Sequence, residues 1–316
     1  MRRAASAVRP ILPMVKLVIR LSVTVGLYAL LLAAMNVGEL AQLIAAIDWR
    51  WLSAGLAIPL VGIPLSALRW QVLLHHHGID RPYRELLLRY WSGSFYNTVL
   101  PGSVSGDVVR VGGLTKSGVP LGLSAFSVLA DRCIGLWLCL VIGLVSSIWP
   151  SRLPHRLLLG SVFAAGLSGS LLALWLLQYV PRGGWRWLQR ALGLVALLRV
   201  RPSRSLLLLA LVFQWLVIVH LYVVARAVQA PISLLASGLY MPAVVLAALL
   251  PVSLNGLGMR EAVLVVLLAG LGVSREHAAL VGLLLLLTST ISSLPGGIAV
   301  LLLPLGIKQD VQTSTS

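Results

Sequence analysis

The chain has 316 residues, of which 59% are hydrophobic and only 11% are charged, and its mean hydropathy is +0.95. Soluble domains carry about 25% charged residues, so this composition excludes an ordinary soluble protein. Twenty-five Lys and Arg residues against nine Asp and Glu residues give a formal net charge of +16. Because the basic residues cluster between apolar segments, they indicate cytoplasmic loops of a membrane protein and not a nucleic-acid-binding surface.

The apolar segments predict an all-α polytopic membrane bundle with about six to eight spans, since many of them reach the ~18 residues that suggest a bilayer crossing. In chain order the long segments cover about 17–35, 51–74, 119–149, 156–180, 205–227 and 277–303. Shorter or weaker apolar pieces lie at 86–118, 232–250 and 261–273. Residues 182–204 are rich in Arg and Trp and predict an amphipathic helix on the lipid headgroups. We expect one transmembrane domain over residues 1–306 and a polar C-terminal tail at 307–316.

The basic residues also predict the orientation of the chain. With the N-terminus in the cytoplasm, about 17 Lys and Arg residues fall in predicted cytoplasmic segments, which are the N-terminus, residues 69–116, residues 182–204 and Lys308. The basic residues in predicted outer segments are Arg50, Arg152, Arg156 and Arg275. This asymmetry follows the positive-inside rule. We therefore expect a multi-pass protein of the inner (cytoplasmic) membrane with a cytoplasmic N-terminus.

A short motif occurs twice, 150 residues apart. Residues 100–110 read LPGSVSGDVVR and residues 250–260 read LPVSLNGLGMR. The shared positions are Pro101 and Pro251, Ser103 and Ser253, Gly106 and Gly256, and Arg110 and Arg260. Paired interruptions of apolar sequence in two halves are typical of transporters with discontinuous helices. With a cytoplasmic N-terminus, the copies enter from opposite sides of the membrane, so we expect two re-entrant elements in an inverted repeat.

Each copy of the motif combines a helix break with a cation. Pro101, Gly106, Pro251, Gly256 and Gly258 are the predicted helix-breaking residues. A break exposes backbone N–H groups at a positive helix end, which suits an anion such as phosphate, and arginine binds phosphate in bidentate fashion. The predicted substrate-binding residues are Arg110, Arg260, Ser103, Ser253 and Asn255, and either serine can also cap the helix that follows it. In the alternative interpretation, Arg110 pairs with Asp107 and Arg260 with Glu261, and these pairs hold the breaks in shape.

Asp131 and Arg132 form a charged pair of neighbours inside an apolar span, where a charge is costly unless it has a partner. Neighbouring helical residues point about 100° apart, so their partners are expected on other helices. We predict that Asp131 pairs with Arg110 or Arg69, and that Arg132 pairs with Asp107. The predicted gating and charge-pair residues are Asp107, Asp131, Arg132, Glu261 and Arg69. The aromatic residues Tyr90, Trp91, Phe95 and Tyr96 are expected to anchor the protein at the membrane interface or to line a cavity.

Motifs of soluble enzymes are missing from the sequence, including the P-loop, HExxH and GxSxG patterns. His75, His76 and His77 stand beside a loop without flanking acidic or Cys ligands at fixed spacing, so we expect no metal site there. We accordingly predict no catalytic residues, no metal and no cofactor.

At these motifs the chain resembles a known family. The blocks LPGSVSGDVVRVGGL, SVLADRCIGL and LLPVSLNGLGMREAVLVVLLAGLGVS are similar to the lysylphosphatidylglycerol synthase transmembrane-region family, the flippase-like domain of multiple peptide resistance factor proteins. The resemblance implies a lipid translocase and carries the family's charged positions over to Asp107, Arg110, Asp131, Arg132, Arg260 and Glu261. Asn255 stands where a glycine is common in relatives. We expect a stand-alone domain without the aminoacyl-transferring domain of the full-length relatives.

The function favoured by the motif and the resemblance is a membrane lipid translocase that moves a phosphate-bearing lipid or lipid-linked precursor between leaflets. The alternatives are an integral-membrane glycosyl- or phosphotransferase that acts on a polyprenyl lipid, and an accessory membrane subunit. The predicted outer loops contain only Glu39, Asp48 and Glu276 as acidic residues, without the paired pattern of metal ligands. The expected partners are membrane lipids with anionic headgroups and a separate lipid-synthesising enzyme, but not nucleic acid.

Overall fold

The computed structural model describes most of the chain from residue 20 onward. The described residues are 20–27, 29–30, 33, 35–100, 104–149, 153–177, 204–250, 252–253 and 256–302. Of these residues 84% are helical and none lies in a strand, which confirms the predicted fold class. The predicted amphipathic helix at 182–204 lies outside the described residues except for Arg204, and the polar tail lies outside them entirely. The first predicted span, 17–35, is described at residues 20–27, 29–30, 33 and 35.

The helix bounds follow the apolar segments of the sequence. The helices are α1 Val37–Ala45, α2 Trp49–His75, α3 Tyr83–Val99, α4 Ser105–Lys116, α5 Leu121–Ile148, α6 Arg156–Leu177, α7 Arg204–Ala227, α8 Leu234–Leu249, α9 Met259–Ala269, α10 Arg275–Ser293 and α11 Pro295–Leu302. Asp48 caps α2 by accepting a hydrogen bond from the Arg50 N–H, and Ser233 caps α8 at the Ala236 N–H. Such caps satisfy backbone donors that have no partner inside the helix.

Five helical segments are long and apolar enough to cross a bilayer, so the protein is an integral membrane protein. Within the described part of the chain these segments are Trp49–His75, Leu121–Ile148, Arg156–Ala173, Arg204–Ala227 and Arg275–Leu301. The six to eight spans predicted from the sequence also counted the first segment, which is described only in part, and the shorter apolar pieces. Those shorter pieces form helix pairs with a break between them.

The order of the helices repeats. In the first half, the long helix α2 is followed by the broken pair α3–α4 and then by the long helix α5. In the second half, α7 is followed by the broken pair α8–α9 and then by α10. The backbone turns extended at Leu100 after α3 and at Leu250 after α8, at the start of each motif copy. The predicted helix breaks therefore lie at matching places in the two halves.

The first helices of the two halves, α2 and α7, run antiparallel in direct contact. At one end, the Asp48 N–H donates a hydrogen bond to the Ala227 carbonyl at 2.9 Å. Farther along α2, the guanidinium of Arg69 lies over the ring of Phe213, with 5.2 Å to its centroid. Residue numbers thus rise along α2 as they fall along α7. This antiparallel arrangement is the relation expected between equivalent helices of an inverted repeat.

Glycine allows the first broken pair to close. A Cβ atom added at Gly106 in α4 would fall on the carbonyl oxygen of Gly93 in α3, and would lie 2.7 Å from the side-chain amide of Asn97. The Gly106 N–H in turn donates a hydrogen bond to Asn97 Oδ1 at 2.7 Å. The two helices of the pair therefore meet backbone to backbone at the first motif, which fixes the start of α4.

Candidate functional site

Asp131 is the centre of a buried ion network in the first half. Its carboxylate accepts a hydrogen bond from Arg69 Nε on α2 at 2.7 Å and from Arg110 Nη2 on α4 at 3.1 Å. The Tyr90 hydroxyl on α3 donates to the same carboxylate at 3.2 Å. One side chain of α5 thus connects three other helices. The side chain of Asp131 is only 1% exposed, so these contacts compensate a charge that water does not reach.

Aromatic rings hold Arg110 in place. Its guanidinium carbon lies 4.3 Å from the ring centroid of Trp70 and 4.0 Å from that of Tyr90, so that two rings contact the cation. Trp70 is itself fixed, because its indole N–H donates a hydrogen bond to Ser127 Oγ at 3.1 Å. Cation–π contacts of this kind contribute about 2 kcal/mol or more when the cation is removed from water. Arg110 therefore has a position set by shape as well as by charge.

A second acidic residue, Asp107, extends the network to Arg132. Its carboxylate accepts from Arg132 Nε and lies 3.7 Å from Arg110 Nη1. The pairings expected from the sequence, Asp131 with Arg69 and Arg110 and Asp107 with Arg132, are all present. The alternative interpretation paired Arg110 with Asp107. This contact is also present, but at 3.7 Å it is longer than the 3.1 Å contact of Arg110 with Asp131.

The network becomes more exposed toward Arg132. The side chains of Arg69 and Arg110 are 4% and 5% exposed, whereas that of Arg132 is 36% exposed. Three arginines and two aspartates give the network a formal charge of +1. In addition, Arg69 Nη1 and Arg110 Nε are buried and have no hydrogen-bond partner among the described residues. An excess of positive charge in a site with little water favours an anionic ligand.

Arg132 also lines a cavity of about 420 Å³ between the two halves. Most of its wall is apolar. The polar and charged residues that line it are Ser94, Asn97, Arg132, His220, Arg260 and Ser289. Arg132 belongs to α5 of the first half and Arg260 to α9 of the second, so each half contributes one arginine. His220 Nε2 forms a hydrogen bond with Thr288 Oγ1 at 2.9 Å, which orients the imidazole.

The second motif is built differently from the first. The Glu261 carboxylate accepts a hydrogen bond from the Gly258 N–H at 2.8 Å and so caps α9. Its other oxygen is buried and has no hydrogen-bond partner within the described ranges. The alternative interpretation paired Glu261 with Arg260, whereas the hydrogen bond found for this carboxylate is with its own helix end. Gly256 has a φ of +74° and packs against Ala248 of α8, as a glycine break requires.

The sequence suggested that Ser253 caps the following helix, but the N-cap residue of α9 is Gly258. The side chain of Ser253 is buried and its hydroxyl has no hydrogen-bond partner in the described part of the chain, because α9 begins only at Met259, after a short turn. Arg260 lies at the cavity as a substrate-binding residue should, but Arg110 is not among the described lining residues. The structural positions of Pro101, Ser103, Pro251 and Asn255 lie outside the described residues.

Sequence reasoning missed two members of the site. Tyr90 was expected at the membrane interface or in a cavity wall, yet its hydroxyl contacts Asp131 and its ring contacts Arg110. Trp70 was not singled out, although it directly follows Arg69. A tryptophan beside an intramembrane arginine is the signal that could have identified it, since aromatic rings are the apolar groups that best accommodate a buried cation.

Comparison with known proteins agrees with this architecture. No curated protein sequence matches the chain. The sequence model of one family matches residues 17–297, which include both helix breaks, the ion network and the cavity. The chain therefore belongs to the family described as the lysylphosphatidylglycerol synthase TM region.

Proposed function

We propose that this protein is a membrane lipid translocase and that the cavity between its halves holds the phosphate-bearing headgroup of the lipid. The observation that carries the proposal is the arginine contributed to this cavity by each half, Arg132 and Arg260. The family description names a transmembrane region associated with a lipid, which is consistent with a lipid as the ligand.

The size and lining of the cavity suit a headgroup better than a whole lipid. Its volume of about 420 Å³ is at the lower end of the roughly 300–1,000 Å³ that ligand pockets occupy. A phosphate between two guanidinium groups would neutralise the excess charge of the site. The acyl chains would remain among the apolar side chains and the bilayer, where their transfer costs least.

The repeated helix order supports a transport cycle. Two halves whose first helices run antiparallel can expose one central site to either side of the membrane by moving against each other. The distribution of Lys and Arg supports a cytoplasmic N-terminus, and we propose the inner membrane as the location. In this arrangement neither half needs to hydrolyse a nucleotide, and a lipid or ion gradient would supply the energy.

The test is translocation by the purified protein in liposomes. Phosphatidylcholine vesicles would contain a trace of fluorescent phosphatidylglycerol, and quenching of the outer leaflet by dithionite would report its movement. Wild-type protein is expected to make the inner-leaflet pool accessible, and Arg260→Ala is expected to lose this activity. The matched control is Arg226→Ala, because Arg226 is an exposed arginine at the end of α7, against Trp51 and away from the cavity. Equal translocation by the two variants would contradict the proposal.

A further inference from the structure

We propose that Arg132 is shared between Asp107 and the anion in the cavity, so that binding of a phosphate group competes with the Asp107–Arg132 ion pair and releases the first turn of α4. This inference rests on the proposed function in one respect, which is that the physiological anion is a phosphate-bearing lipid. The shared chemistry is a phosphate group, whether it belongs to a lipid headgroup or is free.

Arg132 has the position that this role requires. It is the residue that belongs both to the ion network, through Asp107, and to the lining of the cavity, within the part of the chain that the structure describes. A phosphate bound there lies beside a guanidinium that already has a carboxylate partner. Two anions that compete for one arginine bind with negative coupling, and that coupling is reciprocal.

The other arginines of the network are not available for such an exchange. Arg69 and Arg110 are at most 5% exposed, and both hold the carboxylate of Asp131, which is itself 1% exposed. Arg110 also contacts the rings of Trp70 and Tyr90. An anion would have to displace a buried carboxylate and two rings to reach either guanidinium. The exposed edge of the network is therefore the place where exchange can occur.

Asp107 can give up Arg132 without becoming an isolated buried charge. Its carboxylate is 12% exposed and lies 3.7 Å from Arg110 Nη1, so a second cation remains close when Arg132 turns to the anion. Asp107 also lies in the first turn of α4, where the helix end favours a negative charge. These two compensations make the exchange feasible.

Release of Asp107 would act directly on the first helix break. Two ion pairs connect α4 to α5, one between Asp107 and Arg132 and one between Arg110 and Asp131. Asp107 follows Gly106, the residue at which α4 meets α3, and the N-cap residue Val104 makes no side-chain capping bond. Loss of the Asp107–Arg132 pair would leave the start of α4 with one ion pair fewer, while the buried pair at Asp131 keeps the rest of the helix in place.

Binding measurements on detergent-purified full-length protein test the competition. Inorganic phosphate and short-chain dihexanoyl phosphatidylglycerol would be titrated separately by calorimetry. Asp107→Asn is expected to tighten binding about tenfold, because the anion no longer competes with a charge-assisted hydrogen bond. Arg132→Gln is expected to weaken binding, and the double variant should behave like Arg132→Gln alone. The control is Glu85→Gln, which neutralises the carboxylate paired with Arg89 elsewhere on α3 and should leave binding unchanged.

Unchanged affinity in folded Asp107→Asn protein would overturn the proposal, as would tightening that persists in the double variant. Tightening with inorganic phosphate but not with the lipid would support the exchange and identify free phosphate as the anion. Tenfold tightening together with no translocation by the wild type in liposomes would leave the exchange standing and refute the translocase function.

A measurement on the wild-type protein does not depend on the folding of any variant. Amide hydrogen exchange at residues 104–110 is expected to become faster when saturating inorganic phosphate is added, because the first turn of α4 loses its contact with α5. Exchange at α10, which lacks this contact, serves as the internal reference. Exchange at residues 104–110 that is unaffected or slowed by bound phosphate would also overturn the proposal.

Discussion

Replacement of Asp131 by Asn is expected to lower the free energy of unfolding strongly, because Asp131 is the centre of the buried ion network. Asn has the same shape but no charge, and its amide nitrogen is a donor where the carboxylate offered a second acceptor. One of the two arginines that now donate to Asp131, Arg69 and Arg110, would then face another donor. Arg69 would also lose its compensating charge within the protein interior, and Arg110 would keep only the longer contact with Asp107.

The expected cost follows from the burial of the pair. Removal of one partner from a buried ion pair costs about 3–5 kcal/mol, because it leaves an uncompensated charge. Asp131 is 1% exposed and contacts two arginines that are at most 5% exposed, so we expect the upper part of that range. The two contacts share one carboxylate, and their contributions therefore do not simply add.

The free energy of unfolding would be measured in mixed micelles by titration with sodium dodecyl sulfate. Glu85→Gln is the control, since the Glu85–Arg89 pair is partly exposed at the i, i+4 spacing and such pairs contribute only about 0.3–0.5 kcal/mol. Arg69→Met added to Asp131→Asn is expected to recover part of the loss, because it removes one uncompensated cation. If the free energy of unfolding of Asp131→Asn protein were within about 1 kcal/mol of the wild-type value, the ion network would not be a major source of stability.

The two helix breaks give further predictions for the same unfolding assay. Gly106→Ala is expected to cost at least about 1–3 kcal/mol, because the new Cβ falls on the Gly93 carbonyl oxygen and forces α3 and α4 apart. Gly256 and Gly272 both have a positive φ, +74° and +76°, but a new Cβ at Gly256 would lie 2.8 Å from Ala248 Cβ, whereas the space at Gly272 is open. Gly256→Ala should therefore lower the free energy of unfolding more than Gly272→Ala. Gly272→Ala then measures the backbone strain alone, about 1–2 kcal/mol; equal costs at both sites would mean that contact with Ala248 is unimportant.

Much of the fold could be predicted because a bilayer imposes its own length scale. The predicted segments 51–74, 119–149 and 205–227 correspond to α2, α5 and α7 within a few residues. The ion pairs could be predicted for a related reason. Only nine acidic residues are available in the chain, and an arginine within an apolar span needs one of them. Arg132 and Asp107 were therefore paired correctly from the sequence.

The orientation of side chains around each helix could not be predicted in the same way. Asp131 and Arg132 are neighbours that point about 100° apart, and packing decides which of them meets the network centre and which reaches the cavity. Arg110 and Arg260 hold the same motif position, but Arg110 is enclosed by aromatic rings while Arg260 lines the cavity. A repeated sequence motif therefore indicates a repeated backbone break. It does not indicate which side chains surround each copy, because those side chains come from other helices.

The contact between Arg69 and Asp131 has a consequence for the biogenesis of the protein. The two residues are 62 positions apart, and a chain is inserted into the membrane from its N-terminal end. Arg69 therefore enters the bilayer with α2 before α5, which carries its carboxylate partner, is inserted. Until then the nascent chain carries an uncompensated guanidinium at a cost of up to about 3 kcal/mol, which the otherwise largely apolar α2 can tolerate. Insertion of α5 removes this cost, so the first half reaches its stable arrangement only when α5 has joined α2 in the membrane.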